Sequence, residues 1–169
     1  MKKISKFFNS MKKGNWGFTM DEVMSGEHKF EPGFGAAGSH HMEFRVTWGP
    51  KNFGQWINPW YPHFLKNDLS GTVTIGGLCE NESCSGSLEL NYFDEHKIRY
   101  TFDFTTAGKQ YHFVGEKVNI QLHNLPFSHT TCFGTLVEKE SNKLVSRSVT
   151  YFRLWTAPEF VTSLRLANA

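Results

Sequence analysis

Histidine and cysteine are the side chains here whose chemistry would be easiest to recognise from spacing. The candidate metal ligands are His40, His41, His63, His112, His123 and His129. None shows the helical H-E-x-x-H spacing of a catalytic zinc site. His40 and His41 are adjacent, so in a strand they point to opposite faces and cannot chelate one ion through their side chains. His112 and His123 stand opposite the apolar residues of their strands, which assigns both to solvent. Cys79, Cys84 and Cys132 make an odd count, and the first two are spaced more widely than a redox C-x-x-C pair. With no fourth cysteine to complete a structural zinc site, the expectation is free thiols in a cytoplasmic protein, with no metal and no cofactor.

Other signatures have the wrong context. Gly33-Phe34-Gly35-Ala36-Ala37-Gly38 matches G-x-G-x-x-G. Phosphate binding by that pattern needs a strand before it and a helix start after it. Here Pro32 precedes it and an alternating stretch from His40 follows, so a loop at a sheet rim is expected. No G-x-S-x-G appears, and Cys132 has only His129 close in sequence, so it reads as a small buried side chain and no catalytic residue is assigned. Lys143 to Trp155 places Val145, Arg147, Val149, Tyr151, Arg153 and Trp155 on one parity. Facing inward, Arg147 or Arg153 would hold a ligand anion by paired hydrogen bonds; facing outward, the guanidiniums would reach water.

The elements that would position these residues are strands. Met42, Phe44, Val46 and Trp48 alternate with polar neighbours, as do Leu88, Leu90 and Tyr92, then Ile98, Tyr100, Phe102 and Phe104, then Tyr111 and Phe113. Hairpin-sized turn signals fall at Gly76-Gly77, Asp94-Glu95-His96, Thr106-Ala107-Gly108-Lys109 and Ser141-Asn142. Pro59 and Pro62 exclude a central strand between Ile57 and Pro62. Eight to nine short strands without intervening helices predict an all-β, antiparallel up-and-down barrel, which buries its dry face and removes sheet edges by closing. Ile4, Phe7, Phe8 and Met11 have helical spacing and predict an amphipathic N-terminal helix. Thr156, Pro158 and Glu159 supply start signals for a C-terminal one. The expected division is a helix over 1–15, a barrel over 16–155 and a helix packed on it over 156–169.

Composition excludes several functions. Lys and Arg total 18 against 16 acids, giving no basic stripe for nucleic acid. No apolar run approaches the ~20 residues of a spanning helix. The lysine-rich start lacks the apolar stretch of an export signal, and residues 1–13 are instead a candidate for peripheral membrane contact. The 16 Phe, 5 Trp and 5 Tyr suit a sheet interior or an apolar pocket.

Three groups of segments carry a family resemblance. They are Phe18-Thr19 with Glu22-Val23-Met24-Ser25-Gly26, His63-Phe64-Leu65 leading to Leu69-Ser70-Gly71-Thr72-Val73, and Tyr111-His112-Phe113-Val114-Gly115-Glu116-Lys117. Together they resemble the accessory β-domain of cholesterol-oxidase-like (GMC-type) flavoprotein oxidoreductases and related hydrolase fusions. The resemblance implies a lipocalin-like barrel associated with sterol or lipid metabolism, and a separate oxidoreductase as partner. It carries over no flavin chemistry, because the flavin domain is not in this chain.

The resulting expectation is a binding module that holds a small apolar, lipid- or sterol-like molecule in its lumen. Phe44, Trp48, Tyr100, Phe102 and Phe113 would line that lumen, with Tyr92, Tyr111 or Arg147 orienting the ligand. Two alternatives remain open: a barrel enzyme of isomerase or cyclase type with a histidine or carboxylate base, and an interaction module. A lumen filled by its own rings would leave no cavity.

Overall fold

The computed structural model describes residues 16–91, 95–118, 131–152 and 165–167. Ten elements follow one another: β1 (Gly17–Phe30), β2 (His40–Trp48), α1 (Phe53–Trp56), β3 (Lys66–Ile75), β4 (Cys79–Asn91), β5 (Lys97–Thr106), β6 (Lys109–Lys117), β7 (Thr131–Glu138), β8 (Lys143–Phe152) and β9 (Arg165–Ala167). Strands β1 to β8 pair antiparallel in chain order, and β1 also pairs with β8 through a register running from Met24↔Phe152 to Phe30↔Ser146. That pairing closes an eight-stranded up-and-down barrel, as the alternation predicts.

The turns take the conformations their residues favour. Ala107 (φ 48°) and Gly108 (φ 76°) both have positive φ, the requirement of the tight turn that matches strand twist between β5 and β6. Gly33 to Gly38 lie in the connection between β1 and β2, at the barrel rim and before no helix. Between β2 and β3 the proline-containing segment makes the short helix α1, capped where the Asn52 side chain accepts from the Gln55 backbone N–H at 3.0 Å.

Alternation decides what is inside. Met24, Met42, Phe44, Leu88, Phe102 and Phe113 are all at most 1% exposed. Two glycines make room for the Phe113 ring at the centre. A Cβ on Gly134 would fall 2.5 Å from Phe113 Cε2 and Cζ, and one on Gly115 would fall 2.8 Å from Phe113 Cε1. The sheet wall is thinned where the Phe113 ring lies.

The ends differ from expectation where they are described. Residues 165–167, expected within a C-terminal helix, form β9 and pair with Gly17–Thr19. Backbone bonding along the start of β1 explains the change, since it offers a free ladder edge below the β1–β8 pairing. The remainder of the expected helix over 156–169, and all of that over 1–15, lie outside the described residues.

Candidate functional site

The barrel's inward side chains fall into three zones. In the middle, Phe44 meets Phe102 and Phe113 at centroid distances of 5.5 and 5.6 Å, and Phe102 stacks on Phe113 at 4.6 Å. These three expected ligand-lining residues therefore pack on one another and form a ring floor across the lumen. Tyr111, another expected contact, lies towards the end where His28 sits and stacks on Phe104 at 5.3 Å.

At the opposite end the lumen turns polar. Glu22 on β1 is 5% exposed, although it shares the inward parity of Met24. Its carboxylate accepts from the Lys117 ammonium at 2.6 Å, from the Tyr100 hydroxyl at 3.0 Å and from the Trp48 indole N–H at 3.2 Å. Four strands thus converge on one carboxylate, since Trp48 ends β2, Tyr100 belongs to β5 and Lys117 closes β6. The Lys117 ammonium also lies over the Tyr100 ring at 5.0 Å and the Phe152 ring at 5.6 Å, positions in which a cation is attracted to the ring face. The half-buried Trp48, Leu90, Ile98 and Phe152 pack against the core at this end of the barrel.

Burial, reinforced by the charge on Glu22, pushes the Tyr100 hydroxyl well above its ordinary range, so it stays a donor. Burial likewise pushes the Cys132 thiol up to about 12, against the pull of the Lys117 ammonium. A neutral thiol is a poor nucleophile, which leaves Cys132 as a packing residue under Lys117, its partner in the β6–β7 register. The arrangement supplies a buried acceptor, a buried cation and a phenol donor side by side. Such a set can bind a hydroxyl or carbonyl from both sides, or move a proton at such a group.

The far end holds His28, 1% exposed, with Nε2 3.0 Å from the Gly76 carbonyl oxygen. Burial is the main influence and lowers its pKa below 6.5, so the neutral ring donates from Nε2. His28 Nδ1 is buried with no hydrogen-bond partner among the described residues. His112 sits on the outer wall, as its parity predicts, with Nδ1 2.5 Å from Asp103 Oδ1. Among the described residues, no three His, Cys, Asp or Glu side chains are placed to hold a metal ion.

Arg147 does not face the lumen. Its side chain is 66% exposed and its Nε donates to Glu31 at 2.9 Å on the outer wall. The inward positions of β8 are Ser146, Ser148 and Thr150, all buried. Small polar residues stand inside here because the Phe113 ring already fills the space beside Gly134 and Ser148. Outside, Phe133, Val149, Tyr151 and Arg147 help line an open groove of about 880 Å³. Tyr92, expected to orient a ligand, lies outside the described residues, as do His123, His129 and Arg153.

Sequence reasoning missed Glu22 and Lys117 as a pair. The signal was present: each is a charge at the inward parity of its strand, the first in series with Met24, the second with Tyr111 and Phe113. Two opposite charges on two dry faces of one closed barrel have a partner waiting. The chain matches no protein-family model, no curated protein and no solved structure.

Proposed function

We propose that the barrel binds a small, mainly apolar molecule at its polar-floored mouth, with one hydroxyl or carbonyl of the ligand reaching Glu22, Tyr100 and Lys117. One observation carries this reading: an ion pair between groups only 5% and 8% exposed stands at the end of a lumen whose middle is packed with rings. A buried ion pair stabilises a fold no better than well-packed apolar residues of the same volume. The barrel fills its middle with such residues, so stability alone does not call for charges at the mouth. The apolar body of the ligand would lie on Trp48, Leu90, Ile98 and Phe152. The sterol or lipid association implied by the family resemblance supports the same ligand class.

Native mass spectrometry after equilibration with a lipid extract tests this reading. The expected result is an apolar adduct whose occupancy falls at least tenfold in Tyr100→Phe and Lys117→Met. No adduct, or one indifferent to both substitutions, refutes it. A second reading, acid–base catalysis on such a ligand with Glu22 as base, is favoured by the placement of a phenol and an ammonium on the same carboxylate. It requires the bound molecule to be recovered chemically changed, and Glu22→Gln to abolish the change while binding persists.

A further inference from the structure

The segment joining β2 to β3 is unlike the rest of the surface. Residues 49–65 contain Phe53, Trp56, Trp60, Tyr61 and Phe64 together with Lys51 and His63, and no aspartate or glutamate. Four large apolar side chains are exposed among the described residues, and two are here: Trp60, 92% exposed, and Ile57, 47%.

Local structure holds that exposure in place. The Asn58 side chain accepts from the Trp60 N–H at 3.1 Å, the Tyr61 N–H bonds the Asn58 carbonyl at 2.9 Å, and Pro59 and Pro62 restrict the backbone on either side. The base of the segment is anchored by rings. Trp16 stacks on Phe53 at 4.5 Å, and Phe18 meets Trp56 at 6.0 Å and Trp48 at 6.2 Å. Backbone bonds from Leu65 to Trp56 and from Leu90 to Leu65, both 2.9 Å, tie it to the barrel end that carries Trp48 and Leu90. A tryptophan held in water, in a segment that carries basic groups and no acid, has the chemistry of a side chain that seats at a bilayer's headgroup level.

We infer that residues 49–65 form a membrane-contacting portal, in which Trp60 and Ile57 enter the interfacial zone of an anionic bilayer and bring the polar-floored mouth to the lipid surface. The delivery half of this inference rests on the ligand reading above; the membrane contact does not. Among the described residues no helix is long and apolar enough to cross a bilayer, and the inferred contact is a peripheral one. It is also distinct from the contact that the sequence suggests for residues 1–13.

The test is co-sedimentation of the full chain with phosphatidylcholine vesicles, with and without phosphatidylserine. Wild type is expected to bind, more tightly with phosphatidylserine, and Trp60→Ser/Ile57→Ser to lose at least tenfold in partitioning, the effect of removing two large apolar groups from the contact. Both residues are exposed, so unchanged far-UV circular dichroism and urea midpoint confirm that the variant is folded. Absence of wild-type binding overturns the inference. Equal binding by the variant also overturns it, because the contact then lies elsewhere on the chain. Lys117→Met separates the two readings: it keeps vesicle binding if the portal is right, whatever becomes of the ligand.

Discussion

Replacing Lys117 with methionine isolates the charge at the lumen mouth. Methionine is close to lysine in length and keeps an apolar stem against the rings of Tyr100 and Phe152, so packing changes little. Glu22, 5% exposed, loses its 2.6 Å partner and keeps only the Tyr100 and Trp48 donors. Breaking a buried pair by removing one member costs about 3–5 kcal/mol. The two surviving donors place this case near ~3 kcal/mol, a large share of a total stability of about 5–15 kcal/mol. At ~2–4 °C per kcal/mol for a chain of this size, Tm should fall by about 6–12 °C. Urea unfolding followed by tryptophan fluorescence and circular dichroism measures the loss, and coincidence of the two curves checks two-state behaviour. Glu22→Leu/Lys117→Met should return to within ~1 kcal/mol of wild type, because neither charge is then left alone. A loss below ~1 kcal/mol in the single variant would be that of a solvated surface pair and would refute the reasoning. A double variant as unstable as the sum of its singles would refute it too.

Other expectations follow from the same geometry. Gly134→Ala places a Cβ 2.5 Å from the Phe113 ring and against Ser148 Oγ, and should lower stability by about 1–3 kcal/mol in urea titrations; a neutral result would mean that the ring floor yields. His28 is held below its ordinary 6.5 by burial, so the unfolded chain takes up the proton first and stability falls as pH drops through 6.5. His28→Gln should flatten that fall between neutral and mildly acidic pH, and an unchanged profile would exclude His28 as its source. Cys132 works in the opposite direction: its thiol is pushed from an ordinary 9.0 up to about 12, so the unfolded chain ionises first as pH rises above 9.0. Cys132 alone should then contribute a decline of up to ~1.4 kcal/mol per pH unit, and Cys132→Ala should reduce the alkaline slope, leaving the share of Cys79 and Cys84, whose thiols burial pushes up to about 11.

The barrel was legible because its strands obey a period of two almost without exception, and because turns such as Ala107-Gly108 announce themselves chemically. The inward facing of Phe44, Phe102 and Phe113 was legible for the same reason; that their rings would pack on one another was not. What the sequence left open was which face of β8 is the inner one. On β8 Ser146, Ser148 and Thr150 are buried, with Val145 buried beside them where the register shifts, while Val149 and Tyr151 face out, and Arg147 goes with them. A ring on a different strand imposes that inversion, and nothing local to β8 records it. Glu22 and Lys117 sit 95 residues apart, so their pairing depends on closure of the barrel and not on either neighbourhood.

Closure itself has a consequence for how the chain is made. Seven of the eight barrel pairings join strands adjacent in sequence, each formed as soon as its hairpin exists. The eighth joins His28 to Ser148, across nearly the whole barrel sequence. During synthesis β1 emerges first and must keep its second edge bare until β8 arrives, a delay of many seconds at ordinary elongation rates of about 5–20 residues per second. In that interval the growing meander is an open sheet with two unpaired edges that are complementary to each other. The β1 edge of one nascent chain therefore fits the β8 edge of another as well as its own, and a closed dimer exchanging these strands competes with the monomer for as long as the gap stays open.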